Sequence, residues 1–399
     1  MLACRKVATV AALSGTVLFL LSCVNGSSGN DSATTLVDDL DRDSLRVAVQ
    51  YSIGYLQKLP PEQIIGEQPR MFTAGEILAS LREFDRLLDD WNCRPCFSRE
   101  MESRFEFVPS STDPVTREVL FTGYYQPIID GSLVRTEKFR YPIYARPPDL
   151  IVAEQVSVKP QISIEKVVGR AEGENFVPYY NRREIDEESR LEGRGLEIAW
   201  VADPIELFFL HIQGSGIIRL PDGMQLNVGY AGQNGWPYRS IGRFLIDSGK
   251  LTKDEMSMQR LRRYLRENPH EQNEIFNFNP SYIFFRTNAA GPLGSLEAPV
   301  TAERSLATDS RLFPKGALVL VSTEIPVVSG AGELNGWRAV KRFMLNQDTG
   351  GAIRGPQRAD IYFGADEKAA NMAGYMNRPG RMFFPVLRKT NQSLPRTDG

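Results

Sequence analysis

Residues 73–91, TAGEILASLREFDRLLDDW, carry apolar side chains at three- and four-residue spacing between charged ones. That period places the apolar set on one face of an α-helix. Thr73 with Glu76 three positions later has the form of a capping box, so the helix is predicted to start there. From Val119 the pattern shortens. Runs such as VLFTGYYQPII, YPIYARP and LEIAWVAD are rich in β-branched and aromatic residues and are separated by Gly, Pro and Asp, which predicts strands joined by turns. Helical spacing returns in SIGRFLIDSG and in TKDEMSMQRLRRYLREN, where Thr252 precedes an acidic first turn and the pattern stops before Pro269. Beyond NPSYIFFR come further short strands: RLFPKGALVLVST, VKRFMLNQD, ADIYFG and GRMFFPVL. The succession predicts a mainly β protein with flanking helices, in two β-rich units, without an internal repeat.

The amino terminus departs from this texture. Arg5 and Lys6 precede the apolar run VATVAALSGTVLFLLS, and Cys23 follows it directly. The run is short for a bilayer-spanning helix and has the layout of a secretory signal. Its end, LLSC, resembles a bacterial lipoprotein signal, in which Cys23 would become the lipidated first residue; Val24, which is not an aspartate, then suggests the outer membrane. VNGSSGNDSATT has too little apolar surface to fold. Residues 1–23 are therefore expected as signal and 24–44 as a flexible tether, with the folded part starting near residue 36.

Charge narrows the partners. With 47 basic and 49 acidic residues the net charge is −2, which leaves no electrostatic footprint for nucleic acid. Cys93 and Cys96 in NCRPCF lack a thioredoxin-like context and further zinc ligands, so a local disulfide or two inert thiols is expected. His211 and His270 are the only histidines. A zinc site or a Ser-His-Asp triad would have to be built from these two, and His211, after the apolar FFL, is expected to be buried. QGSG lacks the spacing of a nucleophile elbow, and GAIRG has no P-loop ending. No metal or cofactor is implied.

Carboxylates remain. In QDTGGAIRGPQRADIYFG, residues 347–364, Asp348 and Asp360 are separated by turn residues and could meet at one site. A neighbouring like charge and partial burial would raise the pKa of one, with Arg354 and Arg358 balancing the other. The spacing is equally compatible with capping aspartates in a turn held by Gly350, Gly351 and Gly355.

The blocks FTGYYQP, YPIYARP, EIAWVADPIELFFLHIQGSGIIRLPDG, VGYAGQNGWPYRSIG, NPSYIFFR, RSLATDSRLFPKGALVLV and QDTGGAIRGPQRADIYFG, in this order over about residues 75–388, resemble the membrane-bound lytic transglycosylase A family of murein-degrading lipoproteins. The last blocks resemble its three-aspartate domain, which the chain matches at Asp309, Asp348 and Asp360. The resemblance implies a double-psi β-barrel from residues 45–117 and 275–390, an inserted β domain at 118–274, and a glycan groove between them. It further implies cleavage of the β-1,4 bond between N-acetylmuramic acid and N-acetylglucosamine without water, leaving 1,6-anhydromuramic acid. Asp360 would be acid and then base, with Asp348 and Asp309 holding it. Thr122, Gly123, Tyr124, Tyr125, Gln213, Gly214, Ser215, Gly216, Trp236, Tyr238, Gly350, Gly351 and Arg354 would line the groove. Partners would be peptidoglycan strands, the outer membrane through the anchor, and other murein enzymes. Two rivals stand beside this reading: a hydrolase with Glu206 or Asp203 as second carboxylate, and a wall-binding module without catalysis.

Overall fold

The computed structural model describes residues 38–111, 113, 117–157, 163–288, 291–351 and 353–389. The signal and Cys23 lie outside the described residues. Among the described residues no helix is long and apolar enough to cross a membrane.

Six strands close into a barrel in the order Leu318–Val328, Leu334–Asp348, Ser305–Ala307, Arg358–Tyr362, Val119–Tyr124 and Asn377–Leu387, the last pairing back onto the first. Two pairings are parallel, 305–307 with 334–348 and 358–362 with 119–124, and the others antiparallel. A seventh strand, Phe105–Pro109, extends the ring from 377–387. Closure removes the free edges a six-stranded sheet would otherwise expose. Leu306, Val319, Phe343, Leu345, Ile361, Phe121 and Phe384 fill one core with the helices that cover the barrel.

The helix Ala74–Leu87 sits where the periodicity placed it, with Thr73 accepting from the Glu76 amide at 3.3 Å. The box is half-built, because the Glu76 carboxylate turns to Arg70 at 2.9 Å. Leu81 and Phe84 are fully buried, and Phe84 meets Phe343 at 5.1 Å between ring centroids. Each such side chain contributes about 1.5–3 kcal/mol by leaving water. Residues 38–44, expected in the tether, belong to the fold. Asp41 caps the helix Arg42–Leu56, and Asp38 is buried against Arg304 at 2.7 Å. A buried guanidinium needs such a partner, which ties the start of the folded chain to the barrel.

A second sheet has six strands in the order Ile283–Asn288, Gln225–Gln233, Ser215–Arg219, Ile128–Ser132, Glu197–Val201 and Tyr141–Tyr144; its two end strands approach through a bridge between Ala145 and Phe285. Sheet membership moves both expected boundaries of the insertion. Val119–Tyr124 belongs to the barrel and Ile283–Asn288 to the second sheet, because the run VLFTGYYQPII is two strands in different sheets joined by Tyr125–Pro127.

The helix Pro204–Gln213 was hidden in the sequence because it is apolar all round. Leu207 and Leu210 pack on the second sheet, while Ile205, Phe208 and Phe209 pack on the helical cluster around Leu245, Leu265 and Phe276. Phe208 stacks on Phe276 at 4.7 Å. The helix expected to begin at Thr252 starts instead at Met258, capped by Ser257. Thr252 spends its capping geometry on an isolated turn, exchanging hydrogen bonds with Glu255 at 2.7–3.3 Å. Cys93 and Cys96 form a disulfide.

Candidate active site

The strand Ser305–Ala307 decides how the aspartates meet. Ala307 pairs with Asp348 on one side and Asp360 on the other, and Asp360 pairs with Thr122 beyond. Two strand spacings put the Asp348 and Asp360 backbones about 10 Å apart.

Asp360 lies on the barrel wall with its side chain 16% exposed. The Thr122 hydroxyl donates to its Oδ1, and Arg358 Nε approaches the same oxygen at 3.5 Å. Burial pushes its pKa up against the charge of Arg358 and the hydrogen bond from Thr122. Burial, rather than the expected like charge of Asp348, is therefore the cause. Asp348 is more heavily bonded: Ser295 N–H donates to Oδ1 at 3.0 Å, Thr349 N–H to Oδ1 at 2.8 Å, and the Tyr124 hydroxyl to Oδ2 at 2.9 Å. Burial nevertheless raises its pKa to about 6, against these three bonds and the charge of Lys315.

Asp309 plays a different part. Its carboxylate is fully buried, held by Arg311 at 2.9 and 2.6 Å and by the Gly355 amide at 2.9 Å. Burial opposes its ionisation, but these bonds win and hold the pKa at about 2. It ties down Gly355, and none of its hydrogen bonds among the described residues goes to the other aspartates. Arg354 also departs from expectation. Its guanidinium bonds the Ile353 carbonyl at 3.4 Å, while Arg358 is the arginine beside Asp360.

The expected sugar-facing residues separate into three groups. Tyr238 is 38% exposed, and its phenol feels the charges of Arg358 and Asp360, which places it near the barrel site. Trp236 is half-buried, its indole N–H bonded to the Tyr179 carbonyl at 2.7 Å. Tyr124 tilts against Tyr362 at 5.1 Å with its hydroxyl on Asp348. Tyr125, by contrast, is a core residue, 5% exposed, and its hydroxyl accepts from Arg262 at 2.7 Å. It offers no open ring face because it is buried in the connection just past the strand, with its hydroxyl held by Arg262.

The glycines and Gln213 act mainly on the scaffold. A Cβ on Gly123 would meet Phe363 at 2.7 Å and the Ala373 Cα at 2.8 Å, so packing requires that glycine, while one on Gly216 would press on the end of the Leu210 side chain. Gly214 ends the helix at φ 77°. Gln213 Oε1 accepts the Tyr125 amide at 3.1 Å, tying the second sheet's helix to the barrel exit, and Ser215 pairs with Gly229. Gly350 accepts from the Ile353 amide at 3.1 Å in the turn, and Gly351 has open space where a side chain would stand.

The rival carboxylates are committed elsewhere. Glu206 pairs with Arg262 at 3.0 Å and Arg266 at 2.9 Å, and Asp203 caps its helix through the Ile205 amide at 2.8 Å. His211 is buried, with Nδ1 3.0 Å from Arg182, and burial followed by the Arg182 charge pushes its pKa well down. It is neutral and takes no part. His270 is exposed.

Two family models match the chain, the MltA specific insert domain at residues 120–286 and the 3D domain at 304–384. The membrane-bound lytic murein transglycosylase A of Escherichia coli is 34% identical over 268 residues, 66% of this chain and 65% of the relative; that of Vibrio cholerae is 30% identical over 280 residues, 69% and 68%. A crystal structure of a membrane-bound lytic murein transglycosylase from Agrobacterium tumefaciens superposes with a TM-score of 0.73 at 30% identity, over 87% of this chain and 93% of that one. The chain belongs to the membrane-bound lytic murein transglycosylase A family. Escherichia coli MltA has been crystallised with bound chitohexaose, and that structure matches with a TM-score of 0.65 at 27% identity over 86% of this chain and 90% of that one. The family assignment rests on chain-wide similarity, while the contacts of Ser295 with Asp348 and of Arg262 with Tyr125 are particular to the geometry. Neither was visible in the sequence. Ser295 acts through its backbone, and Arg262 is one of several arginines on one helix.

Proposed function

We propose that this protein is a lytic transglycosylase of peptidoglycan, cutting the β-1,4 bond between N-acetylmuramic acid and N-acetylglucosamine and leaving a 1,6-anhydromuramic acid end. Asp360 carries the proposal. It is a carboxyl group on a groove wall whose pKa burial raises, with one oxygen held by Thr122 and Arg358.

In the first step the protonated Asp360 gives its proton to the bridging oxygen as the bond from that oxygen to the muramyl anomeric carbon breaks. Positive charge develops on the sugar ring, and the carboxylate left behind stabilises it. In the second step that carboxylate takes the proton of the C6 hydroxyl while O6 bonds to the anomeric carbon. The proton count returns to its start, and water is not consumed. Thr122 and Arg358 favour the ionised half of the cycle, burial the protonated half. Such general acid–base work is worth about 10²–10⁴-fold, the remainder coming from positioning of the glycan. Asp348, through Tyr124, orders the wall beside it. Chitohexaose, the compound in the Escherichia coli MltA structure, is a β-1,4-linked N-acetylglucosamine chain, which supports a glycan in the groove. Cys23 would anchor the protein at the periplasmic face of the outer membrane.

Mass spectrometry of the muropeptides released from purified sacculi tests the reading. Anhydromuramyl ends are expected, and Asp360→Asn should lower their release about 10²–10⁴-fold without loss of fold. New reducing ends in place of anhydro ends would establish hydrolysis. Release of anhydro ends by the variant at the unmutated rate would remove Asp360 from the mechanism.

A further inference from the structure

A cavity of about 310 Å³ opens on the barrel beside the aspartate framework, lined by Tyr55, Gln63, Glu67, Ser310, Arg311 and Lys315 together with the strand Ile64–Gly66. Its cations are unequal. Arg311 is 66% exposed and held rigid by two hydrogen bonds to the buried Asp309. Lys315 is half-buried and has no hydrogen-bond or ion-pair partner among the described residues; burial pushes its pKa down, opposed by the charge of Asp348. Asp348 acts on it by charge without bonding it, and a half-buried ammonium left without a hydrogen-bonded partner is a site that an anion would complete. The exposed Glu67 lines the same cavity and supplies the opposite charge.

Chain connectivity bounds how far this cavity lies from the strand between the two aspartates. Ser310 stands three residues beyond Ala307, the residue between Asp348 and Asp360. Three residues span at most about 11 Å. A peptide of three residues hanging from a sugar in the groove reaches as far.

We infer that this cavity receives the free amino-acid end of a peptidoglycan stem peptide, its carboxylate on Lys315 and Arg311 and its ammonium on Glu67. The inference rests on the transglycosylase reading and adds a peptide subsite to it. A third residue that is a diamino-dicarboxylic acid, with a free carboxylate and a free ammonium on its side chain, has the matching chemistry, and crosslinking through that ammonium would remove half of the match.

The test compares uncrosslinked glycan strands carrying tripeptides with the same strands stripped of peptide by an amidase. The unmutated protein should show the higher kcat/KM on the tripeptide strands, and Lys315→Met and Glu67→Gln should each lower that preference about tenfold, the worth of one charge-assisted hydrogen bond. Because Lys315 also acts on Asp348, the readout is the ratio between the two substrates; any effect through Asp348 falls on both. No preference in the unmutated protein, or a ratio that neither variant changes, would overturn the inference. Activity on stripped strands reports the transglycosylase reading separately. If neither substrate is cut, titration of the free tripeptide into protein with ¹³C-methylated lysines decides, since the Lys315 signal must then shift and saturate.

Discussion

Replacing Asp348 by Asn should make the protein more stable at neutral pH and less so, relative to the parent, as the solution is acidified. The side chain is a carboxyl group whose pKa burial raises from 3.8 to about 6. A folded pKa above the unfolded one means that the native state binds the proton more tightly. The penalty for ionisation is therefore absent below the unfolded value, grows as pH rises through the window between 3.8 and about 6, and is constant above it. At 1.36 kcal/mol per unit, this rise is worth at most about 3 kcal/mol. Asn keeps most of the geometry. Its carbonyl oxygen can accept from Ser295 and Thr349 as Oδ1 does, and its amide can donate to a rotated Tyr124 hydroxyl. Urea unfolding of both proteins at several pH values between 3.5 and 8 measures the effect. The stability difference should move in favour of the variant by about 2–3 kcal/mol across that range, while transglycosylase activity falls because Tyr124 loses its anionic anchor. A difference that is flat with pH, or that moves against the variant as pH rises, would refute the placement of Asp348 as a buried carboxyl held partly protonated.

Three further substitutions separate roles within the site. Thr122→Val removes the hydroxyl that favours ionised Asp360, so the alkaline limb of the kcat/KM profile should move to higher pH and kcat should fall about tenfold; a limb that moves to lower pH would contradict the hydrogen bond. Glu206→Gln breaks the pairs with Arg262 and Arg266 and should cost about 1–2 kcal/mol in denaturant unfolding while anhydro-product formation changes only severalfold. A loss of about 10²-fold or more would restore Glu206 as a second catalytic carboxylate. Gly123→Ala forces a methyl against Phe363 and the Ala373 backbone, and a loss of about 1–3 kcal/mol in thermal or urea unfolding is expected.

What the sequence revealed follows from how local each feature is. The helix at Ala74–Leu87 and the strands Leu318–Val328 and Arg358–Tyr362 were legible because their patterns and boundaries lie within a few residues. The helix Arg42–Leu56 was obscured by the adjoining polar tether, although Leu45, Val49, Ser52 and Leu56 carry its buried face. Thr252 and Ser257 are both capable caps, and which one starts a helix depends on the packing of Leu261 and Leu265. Asp348 and Asp360 were legible as a possible pair from the turn residues between them, but spacing left capping aspartates equally open and the resemblance decided between the two. The element that sets them side by side is the three-residue strand Ser305–Ala307, some forty residues earlier in the chain and too short to announce itself.

The second sheet contributes no carboxylate to the proposed chemistry, yet the arrangement depends on it at one peptide bond. Tyr124 and Tyr125 are neighbours whose side chains go to different partners. The first donates to Asp348; the second is clamped by Gln213 through its amide and by Arg262 through its hydroxyl. Gln213 ends the helix that packs on the second sheet, and Arg262 is fixed in turn by Glu206 on that helix. A shift of this helix must therefore pull on Tyr125 and, through the shared backbone, on the hydroxyl that orders Asp348. Rigid placement of the wall around Asp360 is what the proposed single-carboxyl mechanism demands, since its one proton would have to find the bridging oxygen and then the C6 hydroxyl from the same position. The inserted sheet meets that demand by holding the exit of one barrel strand.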